Sequence, residues 1–158
     1  MILLKRNYQW TLEDSKKDEY FSFFCPGQVK EIRILFSYAP DSLQEEKKCV
    51  PLIQKAIEKY YGGREPGTDT FPLLNMYPLK NLITLSLSKE EVYLGNAHRW
   101  EGRQIHHLSA REVSPGFVCP QKIEGKWEGM LHLHAVCTAV CKGILVVEGR
   151  TDDEMVSS

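Results

Sequence analysis

His132-Leu-His134 is the first spacing in this chain that could do chemistry. Two imidazoles two residues apart on an extended strand point to the same side. That is how a strand presents a pair of ligands to one metal ion. A zinc or other divalent site needs a third or fourth ligand. His106 would complete the set, with His107 or His98 as substitutes and Glu101 or Glu128 as a carboxylate, if the strands carrying them are neighbours. One expectation is therefore a small metal-dependent hydrolase centred on His106, His132 and His134. The other is that His132 and His134 are the solvent side of a strand whose opposite face is Trp127, Leu131 and Leu133.

The stretch Asn96–Arg103 is the second candidate. It brings His98, Arg99, Trp100 and Arg103 into eight residues between two expected strands. Arginine grips carboxylate or phosphate with paired hydrogen bonds, and an indole stacks on rings. These four residues are the expected binding set of a recognition loop. The alternative is that Trp100 packs on the end of the fold and the arginines are simply solvated. A saccharide-binding site using Trp100 and the long loop that precedes Asn81 is a further option.

Catalytic motifs are missing. There is no G-x-S-x-G, P-loop, G-x-G-x-x-G or H-E-x-x-H, so no catalytic residue is assigned. Glu65 and Asp69 are too sparse for a calcium site. The five cysteines, Cys25, Cys49, Cys119, Cys137 and Cys141, form no C-x-x-C pair. Cys137 and Cys141 on one strand would sit about 13 Å apart, too far for a bond or a shared metal. An odd number of thiols without a signal peptide points to reduced, buried cysteines in the cytoplasm.

The elements that must position these residues read mainly as strands. Apolar positions alternate over residues 1–12, 20–25, 29–38, 81–88, 104–109, 127–136 and 143–149, with 92–98 a turn or short strand. Val50, Ile53, Ile57 and Tyr60 change the period to that of a helix around 50–61, with Pro51 in its first turn and Gly62-Gly63 at its end. Arg64–Pro78 is a long irregular loop. There is no repeated β-helix-β unit. The expected fold is mainly β, an antiparallel, jelly-roll-like sandwich over residues 1–150, followed by a flexible acidic tail at 151–158.

Composition bounds the partners. A chain of 158 residues suits one domain, and a net charge of -1 argues against nucleic acid or an anionic membrane as partner. No stretch approaches the roughly 18 apolar residues of a membrane span.

Phe23-Phe-Cys-Pro-Gly-Gln-Val-Lys-Glu-Ile-Arg-Ile-Leu-Phe-Ser-Tyr-Ala-Pro and Asn81-Leu-Ile-Thr-Leu-Ser-Leu resemble, in turn, the "VPPGV..L.V.FSY.P" entry and the "NLLTLSLFDP" strand of the N-terminal domain in CehA/McbA-type PHP metallohydrolases. Gly95 to His107 is similar to "GHRGGARHE", Ser114-Pro-Gly-Phe to "TPGY" and Gly125-Lys-Trp to "GEW". Order and spacing agree from about residue 20 to the last strand. Ser88-Lys-Glu departs from the family's "FDP". The resemblance implies a β-sandwich accessory module normally placed before a hydrolase domain that holds the catalytic metals. It places His132-Leu-His134 on a sandwich strand, without the downstream S-D-G of the metal motif. It implies a separately encoded PHP hydrolase, or a second copy of this chain, as partner. It supplies no ligand residues for the module itself.

Overall fold

Ile32, Ile34, Phe36 and Tyr38 are buried, while Arg33, Leu35 and Ser37 between them are only partly covered. This is the pattern of a strand with one face on a core, and it recurs along the chain. The computed structural model describes residues 1–61 and 79–157. The loop expected at 64–78, with Glu65 and Asp69, lies outside the described residues, as do the side chains of Ile57 and Tyr60.

The strands are β1 (Ile2–Trp10), β2 (Asp18–Cys25), β3 (Glu31–Ala39), β4 (Ser42–Leu43), β5 (Leu79–Lys80), β6 (Leu82–Lys89), β7 (Val92–Ala97), β8 (Arg103–Ser109), β9 (Gly125–Ala135) and β10 (Cys141–Arg150). Two four-stranded sheets form, in the orders β1-β10-β3-β8 and β2-β9-β6-β7. Every pairing is antiparallel. Setting aside the two-residue ribbon β4-β5, the successive strands stand in the orders 1-8-3-6 and 2-7-4-5. That is a jelly roll, a sandwich built from two Greek keys. The fold class read from the alternation is therefore the fold observed.

The core lies between the inner faces. Trp10, Ile32, Ile34, Phe36, Leu145 and Val147 from the first sheet meet Phe23, Ile83, Leu85, Leu87, Trp127, Leu131 and Leu133 from the second. Gly129 leaves room in that layer. A Cβ there would come 2.0 Å from Phe21 Cζ, so the phenyl ring occupies the space a side chain would take. Trp127 is wholly buried, and its indole N–H donates to Ile123 O at 2.8 Å.

One end of the sandwich closes on Asn81. Its Nδ2 donates to Pro40 O at 2.8 Å and to Thr138 Oγ1 at 2.9 Å, and its Oδ1 accepts from Cys137 N at 2.6 Å. Its backbone carbonyl accepts from Tyr38 O–H at 3.1 Å, and its N–H donates to Asp41 O at 2.8 Å. A fully buried amide thus ties together the end of β3, the start of β6 and the β9–β10 connection.

Helix α1 spans Glu46–Tyr61, starting earlier than the expected 50 and enclosing Pro51. Lys48 N–H and Cys49 N–H both donate to Glu45 O, so the first turn closes before the proline that lacks a donor. Cys49 and Ile53 are the buried pair, with Val50 only partly covered. Cysteine is acting as a small hydrophobe one turn before Ile53, at the position just preceding the expected stripe. The stretch after β10 carries a short exposed helix, α2 (Asp152–Val156), whose first turn is capped by a hydrogen bond from Thr151 N–H to Glu154 Oε2 at 2.9 Å. At the other end of the chain, the Met1 ammonium donates to Gly149 O at 2.8 Å. No helix among the described residues is long and apolar enough to cross a membrane.

Candidate functional site

The outer face of the second sheet holds a groove of about 760 Å³. Its floor follows from strand register. Ser22 on β2, Glu128 on β9, Ser88 on β6 and Tyr93 on β7 form one row, and Tyr20, Met130, Ser86 and Asn96 form the next. Beyond them Asp18, His132 and Thr84 lie side by side, with His134 further along β9. A bulge between Leu87 and Ser88 brings Tyr93 into line. Arg6 reaches the rim from β1, at the edge where β1 passes β2.

Two tyrosines stand at opposite edges of this face. Tyr20 is 74% exposed and Tyr93 64%. The strands that carry them are three strand spacings apart, about 14 Å. Between them lie hydroxyls, an amide, a carboxylate and imidazoles. Next to Tyr93, Gly95 adopts φ +133°, and a Cβ there would come 2.0 Å from Gly116 O. Only glycine lets the 114–118 segment cover this edge, where Val118 N–H donates to Leu94 O and Asn96 N–H to Gly116 O.

The histidines are engaged. Ser86 Oγ is 2.8 Å from His132 Nε2, and His132 Nδ1 is 3.0 Å from Asp18 Oδ1. Thr84 Oγ1 is 2.8 Å from His134 Nε2. The His134 ring lies 5.5 Å from that of His98 and 6.0 Å from that of His132. Burial holds the His134 pKa below the usual imidazole value, and the positive charge that His98 and His132 would carry lowers it further.

The expected metal set does not assemble. His106 sits opposite buried Ile34 on the inner face of the first sheet, in edge contact with Phe117 and 3.0 Å from Gln104 Oε1. His132 and His134 are on the outer face of the other sheet, so a layer of core separates them from His106. Period two aligned the pair correctly but could not show that the third histidine faces inward. Among the described residues, no three His, Cys, Asp or Glu side chains converge as metal ligands. Burial, reinforced by Arg99 and His107, drives the His106 pKa down to about 4, so the ring is neutral. His107 is outside, 3.3 Å from Glu31 Oε1.

The expected recognition loop lies apart from this groove. Residues 98–102 carry the chain from β7 in one sheet to β8 in the other. His98 turns to His134, Trp100 is 53% exposed, and Arg103 opens β8 opposite Ser37. None of His98, Arg99, Trp100 and Arg103 lines the groove. The five cysteines are free; Cys25, Cys49 and Cys141 are buried as expected, whereas Cys119 is exposed and Cys137 only half-buried, against the expectation.

Sequence reasoning missed Asp18, Tyr20, Ser86 and Tyr93, and reached Asn96 only as the first residue of the 96–103 stretch. The available signal was the polar side of β6, Thr84-x-Ser86-x-Ser88, lying opposite a run of leucines. What it faces depends on which strands flank β6, and that is set by topology. No family model matches this chain, and no curated protein matches it.

Proposed function

We propose that this chain is an accessory binding module, related to the N-terminal domain of CehA/McbA-type PHP metallohydrolases, that holds a polar, ring-bearing ligand in the outer groove of its second sheet. The observation that carries the reading is the pair Tyr20 and Tyr93, exposed at opposite edges of a groove floored by hydrogen-bonding side chains. Exposed aromatics supply flat stacking surfaces at little conformational cost, and the polar floor fixes orientation. A separately encoded PHP hydrolase, or a second copy of the chain, is the partner this reading implies. It places the protein in the cytoplasm, in keeping with five unpaired thiols.

The test is a screen of oligosaccharides and polar aromatic metabolites by thermal shift, followed by mapping of amide chemical shifts. Binders are expected to perturb Tyr20, Ser86, Tyr93 and Met130. Tyr20→Ala and Tyr93→Ala should each weaken binding by about 1 kcal/mol, roughly fivefold. Binders that perturb only residues 98–103 would return the site to the crossover. A screen without any binder would sink the reading.

A further inference from the structure

Asp18, His132 and Ser86 form one hydrogen-bonded chain across three adjacent strands, with the distances 3.0 Å and 2.8 Å given above. A carboxylate only accepts hydrogen bonds. The neutral ring therefore carries its proton on Nδ1, facing Asp18, and Nε2 is left as the acceptor for the Ser86 hydroxyl. This is the order of nucleophile, base and orienting carboxylate that serine chemistry requires. The neighbouring pair lacks the third member: Thr84 reaches His134, but among the described residues no carboxylate bonds His134 Nδ1.

Position supports the same role. Ser86 lines the groove and is 8% exposed, so its hydroxyl is largely withdrawn from water yet open to a bound molecule. Asn96 stands directly across from Ser86 on β7, also lines the groove, and keeps its Oδ1 buried without a partner. Its side-chain NH2 is a donor beside Ser86 for a developing oxyanion, and the Arg6 guanidinium at the rim adds positive charge to the groove.

We propose that Ser86 is a nucleophile toward carboxylic esters that enter the groove, with His132 as base and Asp18 as the positioning residue. This goes beyond ligand binding and does not depend on which ligand the tyrosines hold. Ser86 Oγ attacks the ester carbonyl carbon as its proton passes to His132 Nε2. The carbonyl π pair moves onto oxygen, on the Asn96 side. The bond to the alcohol oxygen then breaks, and the Nε2 proton goes to that oxygen. The products are acyl-Ser86 and a free alcohol. Water gives a proton to His132 Nε2 as it attacks the acyl carbon; the bond from that carbon to Ser86 Oγ then breaks, the Nε2 proton returns to Oγ, and the acid is released.

The experiment uses an alkyl fluorophosphonate, in which Ser86 Oγ displaces fluoride at phosphorus, and p-nitrophenyl acetate as ester. A single adduct is expected on the peptide containing Ser86. Release of p-nitrophenolate should fall about 10²-fold in Ser86→Ala and in His132→Gln. Ser86→Ala removes one oxygen, and His132→Gln keeps an amide able to bond both neighbours; melting temperatures check that each is folded. Asp18→Asn should lower the rate while leaving the melting temperature near that of the parent. Absence of an adduct on Ser86 overturns the proposal, whatever the variants do. So does an adduct that forms equally fast in His132→Gln, because that hydroxyl would then be merely accessible.

Discussion

His106 is an imidazole held neutral chiefly by burial, and its Nδ1 is buried without a hydrogen-bond partner. Its pKa falls from the ordinary 6.5 to about 4 in the fold. Between those values the unfolded chain binds more protons than the folded one, so stability rises with pH across that window. The contribution is fully present above pH 6.5 and is lost as pH falls toward 4, a difference of about 3 kcal/mol. Replacing His106 with Leu removes this proton from the balance. Urea melts taken at intervals from pH 4 to 6.5 should show a visibly shallower acid slope in the variant. Equal slopes would mean that other groups dominate acid unfolding. The cost at neutral pH should be about 1 kcal/mol, from Gln104 Oε1 losing its partner.

The elements were legible to different depths. Strand positions could be read because alternation is a local property: Ile32 to Tyr38 and Ile83 to Leu87 declare an inner face without reference to any neighbour. The groove could not be read, because Asp18 and Ser86 meet His132 only after β9 inserts between β2 and β6. Those residues are 114 and 46 positions from His132, and nothing near each of them in sequence announces the other. Asn81 shows the same limit. In sequence it is a polar residue before a strand; in the fold it ties three segments together. Asn81→Ala leaves Cys137 N–H without its acceptor and Pro40 O with only the weak Cys141 thiol donor. The expected loss is about 3 kcal/mol by urea denaturation. A loss under about 1 kcal/mol would show that water replaces the amide.

At the scale of the whole molecule, burial separates the five thiols into classes. Cys119 is exposed and Cys137 half-buried, whereas Cys25, Cys49 and Cys141 are inside. Burial pushes Cys25 and Cys141 up to about 11, far from the thiolate form that reacts. Titration of the native protein with a thiol reagent should therefore modify Cys119 rapidly and Cys137 slowly. The remaining three should react only as the sandwich unfolds, at a rate that follows denaturant. Fast modification of Cys25 or Cys141 in native buffer would reveal openings of the sheet edge.

The hydrogen bond from the Met1 ammonium to Gly149 O has a geometric consequence for assembly. β1 and β10 are antiparallel neighbours, with Ile2 opposite Glu148. Position 1 and position 150 therefore leave the sandwich at the same pole, on adjacent strands. A host polypeptide can enter and exit through that pole without crossing the domain, as wires meet at a single socket. The groove lies on the broad side of the other sheet, facing away from that junction, so the module can be spliced into or onto a larger protein with its binding face left open.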